Sequence, residues 1–195
     1  MTDITKEYYE NNAKQYFDNT YCIDFSSITS VFEKYLKQGD SILDLGCGSG
    51  RDSKYFNEQG YNVTPLDYSE NLAKLTEIYT GLKVEVMDMR DMKYKEQFDA
   101  IFSAGMMHIK KDEIKYILEK CFDALKSNGV FYLTFKYGNK EEIIDGRFFN
   151  FYTEETLIKL LDSIPGNNVK EVWISGDTYP GRDTRWINVI TQKKI

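Results

Sequence analysis

The residues of this 195-residue chain best suited to chemistry are concentrated at 42–50, which read Ile-Leu-Asp-Leu-Gly-Cys-Gly-Ser-Gly. The segment begins as an apolar strand that contains Asp44, and it ends with glycines at every second position. Because glycine has no side chain and tolerates positive φ, this loop lets a ligand approach the backbone closely. The dinucleotide fingerprint Gly-x-Gly-x-x-Gly would need a further glycine where this chain has Arg51. The loop therefore predicts a ligand other than a dinucleotide.

Further polar side chains follow the next three predicted strands. Asp67 and Tyr68 follow the second, Asp88 and Met89 the third, and Ser103 ends the fourth. A single acidic residue at the end of a strand is usually a turn former or a helix cap. Ligands in open α/β sheets bind beyond the carboxyl ends of the strands, so we expect these residues to share one site. A carboxylate at position 67 could accept hydrogen bonds from ribose hydroxyls.

The order Asp-x-Gly-x-Gly-x-Gly at 44–50 resembles the first motif of class I S-adenosylmethionine (SAM) dependent methyltransferases. Other segments resemble one bacterial subgroup of the small-molecule enzymes in that family, namely 135–138, 145–149, 152–155, 180–182 and 185–189. The resemblance implies that SAM is the cofactor, that Asp88 accepts from the adenine amino group and that Met89 packs on the adenine ring. It implies a SAM site made of Tyr9, Tyr16, Thr20, Asp44, Gly46, Cys47, Gly48, Ser49, Gly50, Arg51, Asp67, Tyr68, Asp88, Met89 and Ser103.

Hydrophobic periodicity predicts the elements that must position these residues. Helices are expected at 4–17, 26–37, 51–59, 69–79 and 111–126, and another is expected to begin after Thr153. Strands are expected at 41–45, 61–66, 82–87, 98–103, 130–136, 168–175 and 184–192, the last two as an antiparallel hairpin. The alternation predicts an α/β fold with a parallel sheet. With the resemblance, we expect a Rossmann-like, seven-stranded, mostly parallel sheet with a final antiparallel strand and helices on both faces.

We expect one domain across residues 1–195, and the resemblance implies that the helices within 1–38 form a lid over the cofactor. A helix that simply docks on the core is the alternative for this segment. His108 is the only histidine and follows the fourth strand. As a neutral imidazole it could take a proton from the methyl acceptor and help to bind it, or it could have a purely structural role.

The chain contains 20 lysines and only five arginines, and all five arginines lie in or beside segments placed at the carboxyl edge of the sheet. A guanidinium offers a planar fork that suits carboxylate or phosphate. Pairing with Asp145, Asp177 or Asp183 is the alternative. The expected acceptor-binding residues are His108, Lys136, Tyr137, Arg147, Tyr152, Arg182 and Arg185.

Composition limits the possible partners. The net charge of −6 and the pI of about 5.0 argue against nucleic acid. Three scattered cysteines and the absence of a signal-peptide pattern predict a reduced, cytoplasmic setting. A single histidine and the absence of Cys-x-x-Cys predict no metal site. No apolar stretch is long enough to span a membrane. We expect a monomer or a homodimer.

These features predict methyl transfer from SAM to a small, anionic acceptor. Nucleic-acid or protein methylation is one alternative, although residues 103–106 read Ser-Ala-Gly-Met. Amino-methylating enzymes of nucleic acids usually carry Asn/Asp-Pro-Pro-Tyr/Phe at this place. A SAM-binding regulatory subunit without turnover is a second alternative that the sequence leaves open. A dedicated base is optional for the transfer, since holding the reactants in line supplies much of the acceleration.

Overall fold

The computed structural model describes residues 3–179 and 181–194, so Pro180 of the 180–182 motif and the ends of the expected domain lie outside the described residues. The helices are α1 (Asp3–Thr20), α2 (Ser26–Phe32), α3 (Arg51–Glu58), α4 (Glu70–Thr80), α5 (Lys111–Ala124) and α6 (Glu154–Asp162). The strands are β1 (Ser41–Leu45), β2 (Asn62–Asp67), β3 (Glu85–Val86), β4 (Phe98–Ser103), β5 (Leu125–Tyr137), β6 (Glu141–Ile144), β7 (Arg147–Tyr152), β8 (Asn167–Ser175) and β9 (Trp186–Lys193).

The central sheet confirms the expected α/β topology. Strands β3, β2, β1, β4 and β5 lie side by side in this order, and each neighbouring pair is parallel. Strand β9 pairs with β5 in the antiparallel direction, and β8 pairs with β9. These seven strands match the expected mostly parallel arrangement with a final antiparallel strand, and β7 and β6 extend the sheet to nine strands. The carboxyl ends of β1, β2 and β4 meet at one edge, which is where the predicted site residues follow.

A second hairpin, β6–β7, was not predicted. Its turn is Asp145-Gly146, and both residues have positive φ, 49° and 77°. Such a two-residue turn favours Asp-Gly and fits the twist of a hairpin. Strand β7 also pairs in parallel with the end of β5, where Lys136 lies opposite Phe151. The hairpin matters because it brings Arg147 close to Lys136 of β5, since both cations lie on the ring of Phe149.

Side chains on the two faces of the sheet form two clusters, so helices cover both faces. Leu43 of β1 belongs to a cluster with α5, α6 and α1, while its neighbour Ile42 packs with Phe32 of α2 and Phe56 of α3. Consecutive residues of a strand point to opposite faces. No helix of the described residues is long and apolar enough to cross a bilayer.

Several predicted boundaries need correction. Strand β3 has only two residues, and helix α2 gives way to a short 3₁₀ turn over Glu33–Tyr35. Helix α5 ends at Ala124, so Asn128-Gly129, expected to end this helix, lies inside β5. Asn128 has a φ of 64°, and the β4–β5 register shifts just before Ala100. A bulge in the strand therefore accommodates the pair.

Candidate active site

The glycine loop lies between β1 and α3 and is tied to β2. The backbone N–H groups of Gly46 and Cys47 both donate to the carbonyl of Leu66, at 2.8 and 2.9 Å. Gly46 and Gly48 have φ values of 80° and 54°. A Cβ on Gly46 would lie 3.3 Å from Cα of Gly105, and one on Gly48 would lie 3.3 Å from the Tyr16 ring. Side chains at Gly46 and Gly48 would therefore be crowded, and the backbone of the loop stays accessible to a ligand.

Asp67 projects into the cavity beside this loop. One carboxylate oxygen accepts from the N–H of Gly48 at 2.8 Å and the other from the N–H of Ser69 at 2.9 Å. The side chain is buried, and burial raises its pKa despite these hydrogen bonds. Each oxygen can accept another hydrogen bond, which is what the two hydroxyls of a ribose would supply. The carboxylate therefore fits the sugar of a nucleoside cofactor.

The next part of the cavity is lined by Asp88 and Met89, with Leu66 and Leu72. Asp88 accepts from the side chain of Arg90 at 2.7 Å and from its backbone N–H at 2.9 Å. Although burial opposes it, these bonds lower the pKa of Asp88, so the group is ionised. An apolar slot bordered by a carboxylate is a suitable place for a flat base that carries an amino group.

Most predicted cofactor residues line this cavity: Tyr9, Tyr16, Thr20, Gly46, Cys47, Gly48, Ser49, Arg51, Asp67, Tyr68, Asp88 and Met89. Three do not, and each has another role. Asp44 accepts from the Ser53 hydroxyl at 2.5 Å, and burial together with nearby Asp52 raises its pKa to about 7. Ser103 donates to the carbonyl of Leu45 at 2.8 Å. A Cβ on Gly50 would lie 2.5 Å from Cγ2 of Thr76. The first two residues thus hydrogen-bond to neighbouring elements, and the third lies too close to α4 to carry a side chain.

Helix α1 lies over the cavity and is held at both sides. The hydroxyl of Thr5 accepts from the N–H of Phe148 on β7 at 2.9 Å, and the Glu10 carboxylate accepts from the N–H of Glu70 at 2.6 Å. The helix kinks at Asn12, which has φ −117° and ψ 18°. The two halves can thus follow different surfaces, and Tyr16 beyond the kink reaches the glycine loop. Helix α2, also expected in the lid, packs on the other face of the sheet.

His108 is buried in the wall between this cavity and a second one. Its Nδ1 lies 2.6 Å from the carbonyl oxygen of Phe148, and its Nε2 lies 2.9 Å from the hydroxyl of Tyr9. Burial lowers its pKa to about 3, and the positive charge of Arg147 adds to this shift. The imidazole is therefore neutral at neutral pH. Because a carbonyl can only accept, Nδ1 carries the proton and Nε2 accepts from Tyr9.

The second cavity, of about 360 Å³, adjoins the first and shares part of its wall, including Tyr9, Tyr16, Arg51, Met107 and His108. Among the predicted acceptor residues it brings together His108, Lys136, Arg147 and Arg182. Its floor comes from two adjacent strands, where Thr134 lies opposite Asn188 and Lys136 opposite Trp186. The remaining walls include Phe25, Phe149, Asp145, Asp177 and Tyr179.

Aromatic rings hold the three cations of this second cavity. The Lys136 ammonium lies 4.0 Å from the centre of the Phe149 ring, and the Arg182 guanidinium lies 4.1 Å from that of Tyr179. Arg147 lies 4.8 Å from the ring of Tyr8. Among the described residues, no carboxylate pairs with these three cations within 4.0 Å. A ring positions a cation without neutralising it, so these charges remain available.

The aspartates that could have paired with the arginines do not do so. Asp177 accepts instead from the N–H of Tyr179 at 2.9 Å and from the indole of Trp186 at 3.3 Å. Asp145 is exposed at the hairpin turn. The Nε atom of Arg147 is buried and has no partner among the described residues. The observed geometry thus favours a ligand as the partner of these cations over internal ion pairs.

Three predicted acceptor residues lie outside the second cavity. The Arg185 guanidinium lies 4.6 Å from the centre of the Tyr137 ring, and the carbonyl of Arg185 accepts from the N–H of Tyr137 at 2.8 Å. Tyr152 is buried against Phe135. These residues fasten the neighbouring strands to each other, so their expected contact with an acceptor needs correction.

Sequence reasoning missed several lining residues, notably Phe149, Tyr179, Trp186 and Asn188. One available signal was the spacing of Thr134 and Lys136, two polar residues on one face of an otherwise apolar strand. Metal ligands do not add to this site, because no group of three or more His, Cys, Asp or Glu residues in the described part of the chain could hold an ion.

Comparison with known proteins agrees with this geometry. Residues 42–129 match the family model described as a methyltransferase domain. An uncharacterised protein of Methanocaldococcus jannaschii is 32% identical over 134 residues, which cover 66% of this chain and 50% of that protein. Phosphoethanolamine N-methyltransferase of Plasmodium falciparum is 26% identical over 149 residues, covering 70% and 56%. The chain thus spans about half the length of the curated relatives it matches.

Solved structures share the fold over nearly the whole chain. The 1,6-didemethyltoxoflavin-N1-methyltransferase of Burkholderia thailandensis has a TM-score of 0.81 at 18% identity, with 98% of this chain and 88% of that chain covered. That structure contains S-adenosylhomocysteine, the demethylated cofactor. The family-model match identifies a methyltransferase domain in residues 42–129. Together with the glycine loop, the carboxylates after β2 and β3 and the sheet order, these matches support a class I SAM-dependent methyltransferase with SAM as its cofactor.

Proposed function

We propose that this protein transfers the methyl group of SAM to a small, anionic acceptor in the second cavity. The observation that carries the proposal is the adjacency of the two cavities. They share lining residues at Tyr9, Met107 and His108, and the second cavity contains three cations that have no carboxylate partner among the described residues. A nucleoside site beside a cationic pocket is what such a transfer requires.

The chain's own residues would act mainly by positioning. Bound SAM supplies a methyl group on a positively charged sulfur, which makes the methyl carbon electrophilic. Asp67 and Asp88 would hold the nucleoside, while the bare backbone at Gly46 and Gly48 would let it approach the loop. Helix α1 closes over this cavity and thereby limits access of water. Holding the nucleophile in line with the methyl carbon and the sulfur supplies much of the acceleration.

The charge of the second cavity supports an anionic acceptor. Lys136 and Arg147 lie on the same ring, at 4.0 and 5.3 Å from the centre of Phe149. Burial lowers the pKa of Lys136, and Arg147 contributes to this shift. Two cations held this close repel each other, and a bound anion would relieve that repulsion. Such a pocket would reject a positively charged acceptor.

The alternatives receive less support. A small cavity beneath a docked helix suits a metabolite better than a duplex or a folded protein. The acidic chain also gives no reason to expect nucleic acid. The proposal keeps one domain with α1 as its lid, a monomer or homodimer, and a cytoplasmic location. Cys22, Cys47 and Cys121 are all unpaired, which is compatible with a reducing compartment.

The test combines binding with turnover. Calorimetry with SAM, S-adenosylhomocysteine and NAD should show binding of the first two only. Incubation with labelled SAM and a metabolite extract should then give a labelled small product that anion exchange retains. A labelled macromolecule would favour the nucleic-acid or protein alternative, and binding without any labelled product would favour a regulatory subunit. Binding of NAD in place of SAM would contradict the cofactor assignment itself.

A further inference from the structure

One hydroxyl in the wall shared by the two cavities has its direction fixed by its neighbours. Nδ1 of His108 donates to the carbonyl of Phe148 at 2.6 Å, so Nε2 must accept. The Tyr9 hydroxyl, 2.9 Å from Nε2, therefore gives its proton to the imidazole. The side chain of Arg147 also donates a hydrogen bond to this hydroxyl. What Tyr9 can still offer to either cavity is consequently the remaining lone pair of its oxygen. No partner among the described residues fixes the nearby Tyr16 hydroxyl in the same way.

This wall can accept a hydrogen bond but cannot take up a proton. Burial lowers the pKa of His108 to about 3, and burial also raises the pKa of Tyr9, so both stay neutral. The guanidinium of Arg147, close enough to lower the pKa of Tyr9, further opposes an imidazolium. The carboxylate of Asp177 is engaged by Tyr179 and Trp186. The other carboxylate that lines the second cavity, Asp145, is exposed at the hairpin turn. A nucleophile that needs a base therefore finds none at this wall.

We propose that Tyr9 is a positioning residue that accepts a hydrogen bond from an N–H of the acceptor, and that the acceptor is an anion carrying a neutral amine as its nucleophile. The proposal rests on the proposed methyl transfer and specifies its acceptor class. The remaining lone pair of Tyr9 would repel a thiolate or an alkoxide, and a neutral alcohol would lack a base. A neutral amine avoids both problems, because its own lone pair attacks the methyl carbon while its N–H donates to Tyr9.

The cations of the second cavity support this choice. Positive charges near an amine disfavour its protonated form, so Lys136 and Arg147 would keep the lone pair free. In the transfer, that lone pair forms the N–C bond, and the C–S bond breaks with its electron pair going to sulfur. The product is a methylammonium and a neutral thioether. The excess proton leaves the ammonium to water after release, so no protein group has to store it.

The test uses matched series of anions with wild type and Tyr9→Phe. Taurine, N-methyltaurine, N,N-dimethyltaurine, isethionate and 2-mercaptoethanesulfonate form one series, and the corresponding carboxylates and phosphates form two more. S-adenosylhomocysteine formation gives kcat and KM for each compound. Tyr116→Phe is the matched control, since this tyrosine is exposed on α5. Binding of S-adenosylhomocysteine and the melting temperature establish that both variants are folded.

In wild type, kcat/KM should favour the secondary amine over the tertiary amine, which has no N–H in its neutral form. Tyr9→Phe should lower kcat for the secondary amine about tenfold, the effect of one hydrogen bond of about 1.4 kcal/mol, with little change in acceptor KM. The preference for the secondary amine should shrink accordingly, and Tyr116→Phe should retain it. If Tyr9 had a merely structural role, Tyr9→Phe would lower kcat equally for both amines, and this result would overturn the proposal.

The remaining outcomes distinguish this proposal from the one it rests on. Faster methylation of the alcohol or thiol anion than of the amine would overturn the acceptor class while leaving methyl transfer to an anion intact. No turnover of any compound in the three series would overturn the proposed function, and the role of Tyr9 with it.

Discussion

Replacing Arg182 by glutamine tests whether the cations of the second cavity bind the acceptor. Arg182 lines this cavity and not the cofactor cavity, and it lies on the ring of Tyr179, 4.1 Å away. A hydrogen bond from a charged group contributes about 1.5–3 kcal/mol. At about 1.4 kcal/mol per tenfold, the acceptor KM should rise roughly 10- to 150-fold. The Kd of SAM should stay within about twofold of wild type.

Arg185→Gln is the matched control for this measurement. Arg185 lies in the same loop, but its guanidinium stacks on Tyr137 outside the second cavity. Steady-state kinetics should therefore show an unchanged acceptor KM for Arg185→Gln. Calorimetry measures the SAM affinity of both variants. The reasoning is refuted if both variants raise the acceptor KM alike, or if Arg182→Gln weakens the binding of SAM as much as the binding of the acceptor.

Three further predictions concern the cofactor side. Asp67→Ala should lower the affinity for SAM at least tenfold in calorimetry without unfolding the protein, because a carboxylate that can accept from both ribose hydroxyls is lost. Unchanged affinity would exclude this role. Gly50→Ala should destabilise the fold by about 1–3 kcal/mol in urea unfolding, because φ is 75° and the new Cβ would lie 2.5 Å from Thr76; a wild-type midpoint would contradict this. Because the pKa of Asp44 is about 7 in the fold and lower when unfolded, the native state binds the extra proton and stability should fall as pH rises from about 4 to 7. Asp44→Asn should reduce this pH-dependent loss of unfolding free energy by up to about 4 kcal/mol, at about 1.4 kcal/mol per pKa unit. An unchanged pH dependence would show that other groups cause the loss.

The sequence predicted the parts of the structure in which local pattern and tertiary position agree. The glycine loop, Asp67 and Met89 follow strands whose apolar runs are unmistakable, and ligands bind beyond the carboxyl ends of such strands. Asp44 shows the limit of this reasoning. It lies in the same motif, but its carboxylate accepts from Ser53 and lies behind the loop. The order of residues along a motif does not say which side chains face the ligand.

The second cavity was less predictable because its walls come from distant segments. Lys136 and Arg182 were foreseen as cations near an edge of the sheet, but their aromatic supports were not. Phe149 is on a hairpin that was missed, since residues 147–152 read Arg-Phe-Phe-Asn-Phe-Tyr and show no regular alternation of polar and apolar residues. The Asp-Gly pair at its turn was the available signal for that hairpin. Arg185 was expected in the site, but it lies just before β9 and stacks on Tyr137 outside the cavity.

Around Phe148, the hairpin β6–β7 contacts helix α1 and His108 and supplies a cation to the second cavity. The N–H of this residue donates to Thr5 on α1, and its carbonyl accepts from Nδ1 of His108. The residue before it, Arg147, adds a charge to the second cavity. A shift of this strand would therefore change the position of the helix over the cofactor, the direction of the Tyr9 hydroxyl and the charge presented to the acceptor together. Substitutions in this hairpin should consequently couple acceptor choice to cofactor affinity, whereas those at Arg182 should not.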